Sequence, residues 1–287
     1  MNILVVGNTS IVGKRVIEQL KKNTKCIVYV TGRNKKADIF FDLENEQLED
    51  NVKGYNFDVI INCAASFDDD SIKGSLKNLK INTMGAVKIV DLALNTKCRR
   101  IINLSSISMY SNKENEYYNS YGISKSFASE YFKLLCKQYN IDFCELLPSQ
   151  IYDEAGEQKK HQGLLYSIID QVSKKSEITF WGNLDVKRNY IFIKDLVNII
   201  EKVIFSDITG SYPCCYIKSY TLSEIVKIAS KVFEQKIQYT FDAKKESLKT
   251  IYIPETSYEL YEQINYTPQV DLEKGLKLIK KTLYVKE

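Results

Sequence analysis

Short apolar runs separated by amphipathic stretches dominate the first half of this chain. Ile3–Val6, Cys26–Val30, Ile39–Phe41, Val59–Cys63, Arg100–Leu104 and Phe143–Leu147 read as strands, most of them apolar on consecutive residues. Strands read that way when helices cover both of their faces. Helical patterns lie between them at Val12–Lys22, Leu76–Leu94 and Tyr121–Tyr139. Strand, helix and strand at this spacing give right-handed βαβ units. The expectation is an α/β, doubly wound parallel sheet over residues 1–150 that binds its ligand at the carboxyl ends of the strands.

The rhythm changes after Pro148. Gly163–Lys174, Leu196–Phe205 and Leu222–Phe233 look helical, while Ile178–Trp181, Arg188–Ile193 and Tyr212–Ile217 look extended. Leu272, Leu276, Ile279 and Leu283 recur at helical spacing and predict one docked, amphipathic helix. Residues 151–287 are expected to form a smaller α+β region that binds substrate.

Composition excludes several classes of function. Lys+Arg number 40 and Asp+Glu 36, a net charge of +4 spread along the chain, which argues against a nucleic-acid partner. The single histidine, His161, rules out a multi-histidine metal site and sits by no nucleophile elbow, so no metal is expected. The seven cysteines form no paired CxxC motifs and several stand in apolar runs, as buried reduced thiols do. No apolar run reaches the length of a membrane span, and the opening run is too short for a signal peptide. The expectation is a cytoplasmic protein with no membrane contact.

Three segments carry chemistry. The first, Gly7-Asn8-Thr9-Ser10-Ile11-Val12-Gly13, follows a strand and opens a helix, where glycines let backbone approach a pyrophosphate at the helix N-terminus. The second is Tyr121-Gly122-Ile123-Ser124-Lys125. Residues four apart share a helix face, and an ammonium beside a phenol favours the phenolate, which equips Tyr121 for acid/base work. The third, Leu104-Ser105-Ser106, ends a strand and places the Ser106 hydroxyl 15 residues before Tyr121, where both can share one substrate oxygen.

In that order and context the segments resemble the extended short-chain dehydrogenase/reductases, enzymes that are nucleotide-sugar epimerases, dehydratases and reductases. Further matches run over most of the chain. Asn62-Cys63-Ala64-Ala65 resembles the family's cofactor-lining NxAA stretch, and Ile81-Asn82-Thr83 its segment with a structural asparagine. Pro148-Ser149-Gln150-Ile151-Tyr152 resembles the segment beside the nicotinamide, and Arg188 to Asp195 a stretch of the substrate domain. The resemblance implies cofactor contacts from Gly7, Thr9, Ser10, Ile11, Gly13, Cys63, Ala64, Ala65, Pro148 and Ile151, with Asp42 and Leu43 at the adenine. It implies catalysis by Ser106, Tyr121 and Lys125. Lys125 also holds the nicotinamide ribose, and Ser106 and Arg188 contact substrate, Arg188 at a diphosphate. Departures are Ser10 at the middle glycine, Leu147 for a frequent arginine, Asp153 for a common glycine and Asn189 for the usual aspartate.

Arg33, at the end of the second strand with no acid beside it in sequence, favours NADP(H), with NAD(H) possible. The dehydratases carry Asp-Glu directly after the active Ser/Thr, where this chain has Ile107-Ser108. Dehydration is therefore disfavoured. The expected activity is reduction of a keto group on a nucleotide-diphosphate sugar, of the 4-ketoreductase type, with Tyr121 as proton donor. An epimerase that retains NAD is the alternative. A non-catalytic dinucleotide sensor is disfavoured by the intact Ser106, Tyr121 and Lys125. The resemblance also implies a homodimer through the helices at 76–94 and 121–139, with Phe127, Tyr131, Phe132 and Leu135 as outward positions.

Overall fold

The computed structural model describes residues 1–33, 37–44, 52, 54–110, 118–251, 253 and 258–285. The first part runs β1 (Asn2–Val6), α1 (Ile11–Leu20), β2 (Ile27–Gly32), β3 (Ile39–Phe40), β4 (Val59–Asn62), α2 (Ile72–Asn78), a π-helical segment (Leu79–Met84), α3 (Gly85–Asn95), β5 (Arg100–Leu104), α4 (Ser120–Gln138) and β6 (Asp142–Pro148). The second part adds β7 (Gln150–Tyr152), α5 (Gly163–Ser173), β8 (Ile178–Trp181), β9 (Lys187–Arg188), β10 (Tyr190–Phe192), α6 (Ile193–Ile204) and β11 (Gly210–Cys214). It ends with β12 (Tyr220–Thr221), α7 (Leu222–Phe233), β13 (Tyr239–Asp242), α8 (Glu259–Gln263) and α9 (Leu272–Ile279).

Seven parallel strands form the central sheet in the order β3-β2-β1-β4-β5-β6-β11. The consecutive apolar residues of β1 explain themselves in the packing. Ile3 and Val5 join Val12, Val16 and Leu20 of α1 and Leu196, Ile199 and Val203 of α6 on one face. Leu4 and Val6 join Ile89, Val90 and Ala93 of α3 and Phe132 of α4 on the other. The expected boundary at residue 150 is therefore not the edge of the sheet, because the later chain returns α6 and β11 to it. What remains forms its own core, in which Leu272, Leu276 and Ile279 pack with α5 and α7. Leu283, the fourth residue of the expected stripe, lies in a terminal π turn and is exposed.

Two elements differ from expectation for local reasons. The helix expected from Leu76 starts at Ile72, where Ser71 caps it by accepting from the Gly74 N–H. The extended run expected over Arg188–Ile193 splits at Asn189. Its Nδ2 donates to the Tyr216 carbonyl at 2.8 Å and its Oδ1 accepts from the Tyr216 N–H at 3.0 Å, a reciprocal pair that an aspartate cannot make. Phe132 is not outward. It is buried and stacked on Phe143 with ring centroids 5.1 Å apart.

Candidate active site

The turn after β1 is shaped by its two glycines. Gly7 has φ of +89°, and a Cβ there would stand 2.5 Å from the Ala64 nitrogen. A Cβ on Gly13 would stand 2.3 Å from the Gly7 carbonyl oxygen, so Gly13 serves the turn from beneath and lines neither cavity described below. Ser10, at the family's middle glycine, is the cap of α1. Its Oγ accepts from the Gly13 N–H at 3.0 Å and donates to the Gly7 carbonyl at 2.9 Å. The first turn of α1 carries no acid, and first-turn N–H groups have no intrahelical acceptor. This end of α1 fits an anion such as a pyrophosphate.

Two cavities meet at that turn and share Thr9, Ser10 and Ala65. One, of about 510 Å³, is lined by Gly7, Gly32, Arg33, Asp42, Leu43, Glu44 and Ala64 among others. Asp42 Oδ1 accepts from the Glu44 N–H at 2.9 Å, which folds the segment over the cavity. Arg33 stands at its mouth with its side chain 66% exposed, 3.5 Å from the Glu44 carboxylate. The acid missing beside Arg33 in sequence is thus supplied by the turn that follows β3.

The other cavity, of about 420 Å³, gathers Ile11, Cys63, Ser106, Tyr121, Lys125, Pro148 and Ile151. Lys125 Nζ donates to the Leu104 carbonyl at 3.0 Å and lies 5.9 Å from the centroid of the Tyr121 ring. Lys125 is buried, which brings its ammonium down to about 8, with Glu145 as the main opposing influence. Ser106 Oγ accepts from the Ser108 N–H and donates to Ser108 Oγ, both at 3.1 Å. Ile107 turns into a small apolar cluster with Leu147 and Cys215, so no acid follows Ser106 at the cavity. Asn82 ties the site to α4. It exchanges 2.9 Å hydrogen bonds with the backbone N–H and carbonyl of Ser66 and donates to Ser124 Oγ at 2.9 Å. The π-helical segment that carries Asn82 is a common device at functional sites.

Arg188 lines neither cavity. It is buried on β9, where its Nη1 donates to the Lys187 carbonyl at 2.9 Å. The far wall of the cavity around Tyr121 comes instead from Phe67, Gln150, Gln158, His161 and Gln162. The Phe67 ring stands edge-on to Tyr121 at 4.6 Å and to His161 at 5.4 Å. Burial, with Lys160 nearby, lowers the His161 pKa and favours neutral imidazole. Asp153, one of the departures, organises this wall. Its buried carboxylate accepts from the N–H groups of Glu157 at 3.0 Å and Gln158 at 2.7 Å, and from Tyr166 Oη at 3.1 Å. The sequence signal for the wall was weak: a lone histidine with Gln162 beside it and Gln158 three residues before, ahead of a helix.

Among the described residues no group of three or more His, Cys, Asp or Glu is placed to hold a metal. No helix there is long and apolar enough to cross a membrane.

The family described as "NAD dependent epimerase/dehydratase family" matches residues 3–210. The chain is 23% identical to the GDP-L-colitose synthase of Yersinia pseudotuberculosis, over 96% of each chain. It is 24% identical to the dTDP-4-dehydro-6-deoxyglucose reductase of Escherichia coli, over 68% of this chain and 70% of that one. Its fold superposes on the UDP-glucuronic acid 4-epimerase of Bacillus cereus, solved with UDP-glucuronic acid and NAD. The TM-score is 0.79, at 17% identity over 98% of each chain. These likenesses give no support to a preference for NADP(H), since the matching family is described as NAD dependent and the neighbour was solved with NAD.

Proposed function

This chain belongs to the NAD dependent epimerase/dehydratase family, and from that premise we propose that it reduces a keto group on a nucleotide-linked sugar. The observation that carries the proposal is one cavity lined by Ser106, Tyr121 and Lys125, with apolar Ile107 where a dehydratase needs an acid. Ser106 holds the carbonyl oxygen of the sugar and Tyr121 delivers a proton to it. A nicotinamide, when bound, would supply the hydride to the carbonyl carbon, and the Tyr121 phenolate left behind regains its proton from solvent. Lys125 favours that phenolate by its charge and holds the nicotinamide ribose. The turn at Gly7, Thr9 and Ser10, with the end of α1, holds the pyrophosphate. Asp42 and Leu43 would flank the adenine, Cys63, Ala64 and Ala65 would line the cofactor between the two cavities, and Pro148 and Ile151 would stand beside the nicotinamide. For the substrate diphosphate Arg188 is proposed on its charge and its place in the second half of the chain.

Epimerisation with retained NAD is the second reading, and Glu44 favours it. An acid at the adenosine end suits a ribose 2′-hydroxyl, whereas Arg33 suits a 2′-phosphate. Mass spectrometry of the nucleotides that accompany the purified protein separates the two. A reductase exchanges its cofactor on dialysis, while NAD that resists dialysis favours the epimerase.

The active form is proposed to be a homodimer. Ile72, Leu76 and Val87 of the α2–α3 run and Phe127, Tyr131 and Leu134 of α4 are all exposed, on helices that pack side by side. Exposed apolar residues on adjacent helices support a contact face there.

A further inference from the structure

Four polar residues stand in register across four adjacent strands of the sheet: Asn62 opposite Asn103, Asn103 opposite Glu145, and Glu145 opposite Ser211. Asn62, Asn103 and Glu145 are buried, Glu145 completely. The direction of their hydrogen bonds is fixed from one end. The Ala64 backbone N–H can only donate, and it does so to Asn62 Oδ1 at 3.0 Å. Asn62 therefore presents Nδ2 to Asn103 Oδ1 at 2.8 Å, and Asn103 presents Nδ2 to Glu145 Oε1 at 3.1 Å. The other oxygen, Glu145 Oε2, accepts from Ser129 Oγ at 2.6 Å and Ser211 Oγ at 3.0 Å. Three donors converge on two oxygens, which suits an acceptor-only carboxylate.

The row joins the two halves of the site. It begins at Ala64, on the loop that lines both the turn after β1 and the larger cavity. It ends at Ser129, one helical turn beyond Lys125 on the same face of α4. A buried charge is tolerated where it is paired and hydrogen-bonded. We infer that Glu145 is a positioning residue: a buried carboxylate that anchors α4 through Ser129 and keeps the Lys125 ammonium charged beside Tyr121. The inference rests on the reading of Lys125 and Tyr121 as the catalytic pair.

The other titratable groups around the pair do not take this role. The thiols of Cys63, just after β4, and Cys144, on β6, are pushed by burial to about 12, and that of Cys214, on β11, is raised too, so all three are uncharged near pH 8. Arg100, on β5, donates through Nη2 to the carbonyls of Val203 and Ile208. Burial alone pulls Lys125 down, and Glu145 opposes that pull more strongly than Cys63 does. Removing the carboxylate should therefore lower the pH at which Lys125 loses its proton and reduce the fraction of charged lysine beside Tyr121.

Titration of the lysine Cε carbons by NMR, with Lys125 identified by its loss in Lys125→Met, reads this without any substrate. In Glu145→Gln the Lys125 midpoint should fall by about one pH unit from its value in the wild type. Ser129→Ala keeps the charge and should leave the midpoint within about half a unit, while lowering thermal stability. If Glu145→Gln does not fold, Glu145→Leu combined with Ser129→Ala removes the carboxylate together with a donor and should give the same downward shift. A midpoint that stays put or rises once the carboxylate is gone overturns the inference. The titration is independent of which sugar reaction the chain performs, so a failed assay for keto-sugar reduction leaves this result standing.

Discussion

Tyr121 and Lys125 lie on one helix turn, so their pairing follows from sequence spacing and was legible there. Phe67 and His161 reach the same cavity from segments 54 residues before and 40 after Tyr121, and no local pattern announces that. Tyr121→Phe removes a single hydroxyl and should lower turnover by about 10²–10⁴ while cofactor affinity stays within about threefold; steady-state rates near wild type would remove Tyr121 from the chemistry. At the other end of the cleft, Arg33 and Glu44 oppose each other. Arg33→Ala should weaken NADP(H) binding by about 1.5–3 kcal/mol and barely alter NAD(H). Glu44→Gln should move the preference toward NADP(H). Calorimetric titration of both cofactors decides this, and equal changes for the two would show that neither residue reads the 2′ position.

At the scale of elements, the first six strands and their helices were readable because a strand buried on both faces is apolar on consecutive residues. β11 was readable as a strand but not as the seventh member of the sheet, since its partner β6 lies more than sixty residues earlier. Glu145 was hidden for the same reason. Within Phe-Cys-Glu-Leu-Leu it is one polar residue in an apolar run, and only the register with Asn103 and Ser211 explains it. The run from α2 to α3 carries a sharper expectation. Asn82→Leu leaves the backbone N–H and carbonyl of buried Ser66 without partners and should cost about 1–3 kcal/mol for each group. Denaturant unfolding measures it, and a change under 0.5 kcal/mol would deny Asn82 its structural role. The exposed faces of the same run and α4 predict a dimer by light scattering at micromolar concentration. Phe127→Glu with Leu134→Glu should yield a folded monomer, and a monomeric wild type would refute the interface.

The whole molecule is a sheet whose carboxyl edge holds an anion-suited turn, a cavity lined by Arg33, Asp42 and Glu44 and a cavity lined by Ser106, Tyr121 and Lys125, with Phe67 and residues from the second half of the chain forming the far wall. Asp153 and Asn189, departures from the family pattern, both became intelligible as hydrogen-bonding solutions in that wall and behind it. The central claim is that the chain carries out net reduction of a nucleotide-linked keto sugar, taking hydride from an exchangeable nicotinamide and a proton from Tyr121. Its most direct test is incubation of the protein with NADH or NADPH deuterated on the transferring carbon and dTDP-4-dehydro-6-deoxyglucose as probe, followed by mass and NMR analysis of the sugar. Reduction predicts deuterium at C4, one oxidised cofactor per product and loss of both in Tyr121→Phe. No label transfer, together with conversion of UDP-glucose to its C4 epimer without net cofactor change, would contradict it.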